Sequence, residues 1–166
     1  AGNQMDNITG GGGTGSYAQN GPSTLLLSVQ SIATALLPRA TVIPGGSDSA
    51  DHGTPVAPGI FVATSNLKLL GNGKGYGLLI VTGNATFEMA GNYHWEGLII
   101  VLGTGSAAIT GADSKLFGAL LAANTRGGAT DLTVSGNGGV YYSSQALCRL
   151  RDLAPTSTVI AWQQVG

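Results

Sequence analysis

The chain has 166 residues, of which 28 are glycine; 43% are hydrophobic and only 9% are charged, with a formal net charge of −1. This composition excludes a disordered chain, because disordered chains combine low hydrophobicity with high net charge. It also provides no strongly basic surface for binding nucleic acid. We therefore expect one weakly charged, β-rich domain of an extracellular or cell-surface protein.

The sequence predicts three segments. Residues 1–23 form a glycine-rich arm that we expect to be unable to fill a core by itself. Residues 24–59 contain a capping helix followed by a loop rich in proline and glycine. Residues 60–166 form a β-solenoid domain with a C-terminal strand. The polar start favours a mature or excised portion of a longer precursor.

The helix is predicted over residues 24–37. Its apolar residues recur at helical spacing, and Pro38 ends the run. The same apolar stretch is too short and too polar to cross a bilayer, so we expect no membrane span. The spaced apolar residues are Leu25, Val29, Ile32 and Leu36.

Further along the chain the sequence repeats with a period near 20 residues. A glycine followed by an unbroken apolar run alternates with a second run that ends in glycine. Two strand-like runs per period predict a mainly β fold, a short parallel β-solenoid (β-helix) of about four coils. The first kind of run occupies 77–81, 97–101, 118–122 and, more weakly, 139–142; the second occupies 67–71, 87–91, 108–111 and 132–136.

Stacking of coils explains the residue types. Equivalent positions of neighbouring coils lie about 4.8 Å apart, so unbroken apolar runs indicate strands buried on both faces and alternating runs indicate strands with one face in solvent. We expect the helix to cap a terminal coil and residues 157–162 to form a last strand at an edge. We also expect the repeated glycines to lie at corners, at positions 71, 91, 111, 136, 77, 97, 118 and 139.

A set of separated motifs over residues 56–162 resembles the C-terminal ectodomain of bacterial PilX-type pilus-assembly (pilin-like) proteins. The resemblance implies an envelope-associated structural or adhesive role, with other pilin-like subunits as partners and no chemistry. Such proteins carry a hydrophobic pilin-like helix at the N-terminus, which this chain lacks. The motifs are Pro58-x-Ile60-x-Val62, Leu67-x-Leu69-x-Gly71, Gly75-Tyr76-Gly77 through Gly83, Gly91-Asn92-Tyr93-x-Trp95 through Gly103, Gly118 to Ala122, Tyr141-Tyr142-Ser143-Ser144 and Val159-Ile160-Ala161-Trp162.

Residues for catalysis or metal binding are scarce. The two histidines, His52 and His94, have no acidic or cysteine partners at metal-ligand spacing, so we expect no metal and no cofactor. A carbohydrate-cleaving β-helix would need clustered acids, whereas Lys68, Thr110 and Thr133 are expected to stack near Glu88. We expect the chain not to be an enzyme.

One predicted corner combines aromatic and polar residues that could contact a partner or a glycan: Tyr93, His94, Trp95 and Glu96. A tryptophan at a corner can stack on a sugar ring or anchor a partner. The alternative interpretation is that Trp95 packs between coils.

Two hypotheses of function follow. The first is a non-enzymatic extracellular structural protein, either a pilus-associated subunit or a subunit of a self-assembling filament, with the residue 1–23 arm as an assembly element. The second is a carbohydrate-binding or carbohydrate-cleaving β-helix that recognises surface glycans through the corner at residues 93–96. A weaker third is an ice-binding solenoid, for which Thr110 and Thr133 would form a row.

Overall fold

The computed structural model describes residues 8–10, 13–14, 23–126 and 130–153, with side chains described from residue 27 onward. Within these residues the chain forms a parallel β-solenoid of about five turns with one long N-terminal helix. The predicted fold class is confirmed. The solenoid begins at Thr41, inside the segment predicted to be a loop, and this earlier start adds a coil to the four that were predicted.

Two sheets form the walls of the solenoid, and almost all their strand pairs are parallel. The eight-stranded sheet has the spatial order β2 (Gly13–Thr14), β1 (Ile8–Gly10), β13 (Gly139–Tyr142), β11 (Lys115–Ala122), β9 (His94–Val101), β7 (Lys74–Val81), β5 (Gly59–Ala63) and β3 (Thr41–Val42). The five-stranded sheet has the order β12 (Asp131–Val134), β10 (Ser106–Ile109), β8 (Phe87–Met89), β6 (Leu67–Leu69) and β4 (Gly46–Asp48).

The core lies between the two sheets and is built from stacked equivalent residues. In the eight-stranded sheet, Leu79 pairs with Ile99, which pairs with Leu120. In the five-stranded sheet, Leu67 pairs with Phe87. Inward-facing residues of both sheets form one buried apolar cluster, so each coil completes its core only against its neighbours.

The long helix, α1 (Ser23–Leu36), lies on the outer face of the eight-stranded sheet and not over a terminal coil, so the predicted capping position is wrong. Ala33 and Leu36 pack on outward-facing residues such as Ile80 and Ile100. The apolar runs in these strands are unbroken because both faces are buried, one in the core between the sheets and the other beneath α1. A helix of 14 residues is about 21 Å long, which is close to the height of five coils at about 4.8 Å each.

Part of the predicted arm belongs to the sheet. Strand β1 pairs in parallel with β13, at the opposite end of the sheet from β3, and β2 pairs with β1 in the antiparallel direction. No strand was predicted within residues 1–23, so these two strands are additions to the predicted solenoid. The predicted strand at 157–162 lies outside the described residues.

The C-terminal part of the described chain forms two short helical segments that the sequence analysis did not predict. Helix α2 (Ser144–Cys148) is capped by Ser143, whose hydroxyl accepts a hydrogen bond from the Ala146 amide at 3.2 Å. A 3-10 helix follows over Arg149–Leu153, and a second one over Leu37–Arg39 follows α1. Leu153 packs in the outer-face cluster beside α1 residues.

One set of repeated glycines lies inside strands and not at corners, which corrects the prediction for positions 77, 97 and 118. These glycines pair with one another in register and have φ values of 129°, 140° and 142°. A Cβ atom on Gly97 would collide with the carbonyl oxygen of Gly77 in the preceding coil, and one on Gly118 would collide with that of Gly97. Glycine at these positions therefore permits the close approach of coils. The glycines at 71, 91, 111 and 136 follow strands of the five-stranded sheet and adopt positive φ, as expected at corners.

We predict that Gly97→Ala lowers the free energy of unfolding by about 3 kcal/mol or more, because it combines an unfavourable φ with a collision against backbone. Gly46→Ala is the matched control: its φ is 100°, but no atom lies within 4 Å of the added Cβ. The control should lower the free energy of unfolding by only about 1 to 2 kcal/mol, as measured by denaturant unfolding monitored by circular dichroism. Equal losses in the two variants would contradict a steric role for the in-strand glycines.

Candidate functional site

The two aromatic residues of the predicted contact corner are buried. Tyr93 and Trp95 are both 0% exposed and belong to the solenoid core, so neither side chain can stack on a sugar or anchor a partner at the surface. The packing alternative is the one that the structure shows. The reason lies one coil earlier, where Gly75 pairs with Trp95 and leaves the space that the indole fills.

Trp95 is held by a polar contact and by two rings. Its Nε1 donates a hydrogen bond to the Gly77 carbonyl at 3.2 Å. Its ring lies 5.9 Å from Phe61 at a nearly perpendicular angle and 6.5 Å from the His52 ring. Trp95 therefore links three successive coils from inside.

His52 connects the loop between β4 and β5 to neighbouring strands of the solenoid. Its Nε2 lies 3.0 Å from Asp48 Oδ2, and its ring meets Phe61 edge to face at 5.3 Å. Its backbone forms a bridge with Gly75 on β7. Each of these contacts ties the loop to a strand, and they make His52 a structural residue.

The Tyr93 hydroxyl lies beside the same loop. It donates a hydrogen bond to the Ala50 carbonyl at 2.8 Å. Burial raises the pKa of Tyr93 well above its usual value, and the carboxylates of Asp48 and Asp51 raise it further. The phenol therefore stays protonated as a fixed donor and is not a candidate acid or base at neutral pH.

His94 and Glu96, the other two residues of the predicted corner, remain at the surface. They alternate with Tyr93 and Trp95 along the strand, so they point outward from the eight-stranded sheet. The Glu96 carboxylate lies 2.9 Å from Arg149 Nη1, and the His94 ring lies 3.1 Å from the Asp113 carbonyl. Both are therefore engaged with neighbouring residues.

An outward-facing row of the eight-stranded sheet contains aromatic residues that the sequence analysis did not combine. In register it reads Tyr76, Glu96, Phe117 and Tyr141. Each of the first three residues directly precedes an in-strand glycine, so the repeat itself could have revealed this row. Phe117 and Tyr141 stack on each other with ring centroids 5.4 Å apart, so one face of each ring is occupied by the other.

A charged group lies at the edge of this row. Lys115 Nζ is 2.6 Å from Asp113 Oδ1, and His94 Nε2 is 3.4 Å from Asp113 Oδ2. The hydrogen bond from Lys115, and secondarily its charge and that of His94, lower the pKa of Asp113, while Asp113 raises the pKa of Lys115.

Of two further expectations for the five-stranded sheet, the stacking of Lys68 on Glu88 is confirmed, whereas the row of Thr110 and Thr133 is wrong. Glu88 pairs with Lys68 and Ala108, and Thr133 also pairs with Ala108, so Thr110 and Thr133 do not form one row. Glu88 nevertheless contacts Lys68 at 2.9 Å and accepts a hydrogen bond from the Thr110 hydroxyl at 3.2 Å. The register removes the regular threonine row that an ice-binding surface requires.

Several classes of site are missing from the part of the chain that the structure describes. It contains no group of three or more His, Cys, Asp or Glu residues placed to hold a metal ion. Within the same residues every buried polar side-chain atom has a hydrogen-bond partner, and no helix has the length and apolarity to cross a membrane. The single cysteine, Cys148, is exposed in α2.

Neither a protein-family model nor a curated protein or a solved structure matches the chain. The resemblance to pilus-assembly ectodomains therefore depends on the motifs alone and stays a prediction.

The first coil ends the solenoid with backbone groups that point outward; among the described residues, no strand lies beyond β3 or β4. Gly46 donates to the Asn66 carbonyl and Asp48 accepts from the Leu70 amide, so the alternation of a parallel ladder directs the N–H and C=O of Ser47 away from β6. On β3, Ile43 donates a hydrogen bond to the Val62 carbonyl of β5. The N–H and C=O of Val42 therefore point away from β5 in the same way.

Exposed apolar side chains accompany these two edges. Val42 on β3 is 66% exposed, and Val56 in the loop after β4 is 93% exposed. We call these edges and side chains the first-coil end. It combines strand edges that pair with no further strand among the described residues and exposed apolar side chains, the two features that promote association between chains.

We predict that Trp95→Ala lowers the free energy of unfolding by about 3 to 5 kcal/mol, because it removes a fully buried ring and leaves the His52 and Phe61 rings without their neighbour. His94→Ala, at the next residue, should cost less than about 1 kcal/mol because the ring is a third exposed. Denaturant unfolding measures both. Equal stability of Trp95→Ala and wild type would contradict the buried position.

We predict that Lys115→Met raises the midpoint at which Asp113 titrates, towards its usual value of 3.8, in an NMR pH titration of the carboxyl carbon. The folded pKa lies below the unfolded one. The Lys115 contact therefore stabilises the fold above pH 3.8, and this stabilisation is lost as the pH falls through the folded pKa. Lys68→Met, in a separate ion pair, is the control and should leave the Asp113 midpoint unchanged.

Proposed function

We propose that this protein is a non-enzymatic structural subunit of an extracellular or cell-surface assembly. It associates through its first-coil end with a second copy of the chain or with a related pilin-like subunit. The observation that carries the proposal is the combination of two open strand edges with the exposed side chains of Val42 and Val56.

Strand addition fits the shape of this end. The edges of β3 and β4 belong to the two opposite sheets, so a partner that stacks on the first coil can hydrogen-bond to both at once. Each hydrogen bond contributes about 1 kcal/mol net, and the exposed apolar side chains add to this when they are covered. A single edge of two or three residues would be too short for a stable contact.

The charge of the chain also supports association. Only 9% of the residues are charged and the net charge is −1, so identical copies repel one another weakly. If the first-coil end binds a different surface of the next copy, the contact repeats and produces a filament; if it binds its own equivalent, it closes as a dimer.

We predict that Ser47→Pro weakens self-association about tenfold, because proline removes the outward N–H of β4 without removing a hydrogen bond to β6. Ser47→Ala is the matched control, since it shortens the side chain but keeps the N–H group. Analytical ultracentrifugation gives the association constants, and electron microscopy at neutral pH distinguishes filaments from dimers.

A wild-type chain that stays monomeric at high concentration would overturn the proposal for self-association. Equal association of Ser47→Pro and Ser47→Ala would show that assembly uses a different surface. Circular dichroism of both variants checks that the solenoid has formed.

A further inference from the structure

The first-coil end is level across the two walls of the solenoid. Each coil contributes one strand to each wall, and the first coil supplies β3 to the eight-stranded sheet and β4 to the five-stranded sheet. These are the outermost described strands on their side of both sheets. Thr41, Val42, Gly46 and Ser47 are all exposed there. Both strand edges therefore face the same way and end at the same height.

The opposite end is stepped in the part of the chain that the structure describes. Strands β11 and β12 belong to one coil, and β12 is the outermost described strand of its sheet, whereas the eight-stranded sheet continues past β11 with β13, β1 and β2. These additional strands make a step of about 14 Å, because each adds about 4.8 Å. Leu132 and Val134 of β12 also have interaction partners already. The level first-coil end cannot pair with both walls of such a stepped end at once.

A second copy of the first-coil end provides a level surface that matches. Rotating one copy by a half turn about an axis that crosses both walls places β3 beside its own equivalent and β4 beside its own equivalent. Both strand pairs are then antiparallel. They form together because the two strands have the same relative position in each copy.

The outward-pointing backbone groups fix the register of these pairs. The N–H and C=O of Ser47 point away from β6, and those of Val42 point away from β5. In an antiparallel ladder, a residue whose two groups both face the partner strand exchanges two hydrogen bonds with the residue directly opposite. Ser47 opposite Ser47 and Val42 opposite Val42 therefore satisfy all of these groups. Val42 directly precedes the turn at 43–45 and Ser47 is the second residue after it, so one axis can pass beside both.

The side chains of the two strands suit this register. Val42 extends the outward-facing column of Val62 and Ile80, and the column would continue across the axis and cover a side chain that is 66% exposed in the single chain. Asp48 is the only charged residue of β3 and β4. It would lie opposite Gly46 of the second copy, which keeps the two carboxylates from facing each other directly.

We propose that the first-coil end binds the first-coil end of a second copy across a two-fold axis, with Ser47 opposite Ser47 and Val42 opposite Val42. The product is a closed dimer in which both sheets run through the two chains. This inference rests on the proposed association through the same surface, and it adds the identity and the orientation of the partner. A filament would then need a different surface.

Single cysteines beside the axis test this arrangement on the full chain, in a Cys148→Ser background that removes the exposed native thiol. Residues opposite each other in a hydrogen-bonded antiparallel pair have Cα atoms about 5.5 Å apart, a distance that a disulfide can bridge. Val42→Cys and Ser47→Cys should therefore each form a disulfide-linked dimer under mild oxidation, at concentrations where the wild-type chain associates.

Thr41→Cys is the matched control, because Thr41 is exposed on the same strand but lies opposite Ile43 of the second copy in this register. Its Cα would be about 8 Å from that of its own equivalent, which is beyond the reach of a disulfide. It should give about tenfold less cross-linked dimer than Val42→Cys. Sedimentation velocity of the wild-type chain should show no species larger than a dimer.

The outcomes separate this inference from the proposed function. A wild-type chain that stays monomeric at high concentration overturns both. Association that Ser47→Pro weakens, but that gives no cross-link at Val42→Cys and Ser47→Cys, overturns the two-fold arrangement alone. Equal cross-linking at Thr41→Cys, or growth of the wild-type chain into filaments through this end, overturns it as well. Circular dichroism of the cysteine variants checks that the solenoid has formed.

Discussion

The close stacking of one coil on the next is the constraint on which the rest of the structure depends. Backbone hydrogen bonds hold neighbouring coils about 4.8 Å apart, and this spacing leaves no room for a Cβ atom where Gly97 faces the Gly77 carbonyl. The same spacing places each side chain directly above its equivalent, so leucine and isoleucine stack into continuous ridges. The glycine content and the apolar repeats are two results of one geometric requirement.

Stacking also decides what the helix does. Outward-facing residues such as Ile80 and Ile100 form an apolar surface that a sheet open to water could not tolerate, and α1 covers it. The first coil is treated differently, because among the described residues no strand lies beyond β3 or β4. The long helix covers the side wall, and the end at the first coil is the surface that we propose for contact with another subunit.

The sequence was sufficient to predict the solenoid because the repeat is local and its residue types follow from burial. It was not sufficient to place Trp95, whose position depends on an empty space one coil away at Gly75. A comparison of equivalent positions 20 or 21 residues apart would have paired the two residues, and it would have aligned Tyr76, Glu96 and Phe117 as well.

The pairing of β1 with β13 has a consequence for how the chain folds. Ile8 lies beside Val140, so the first strand finds its partner only after the final coil has formed. During synthesis the N-terminal segment must wait for about 130 further residues, although coils in the middle of the chain can assemble as they emerge. The β1–β13 pair is a contact of very high sequence separation, which makes it a slow, late step that completes the sheet.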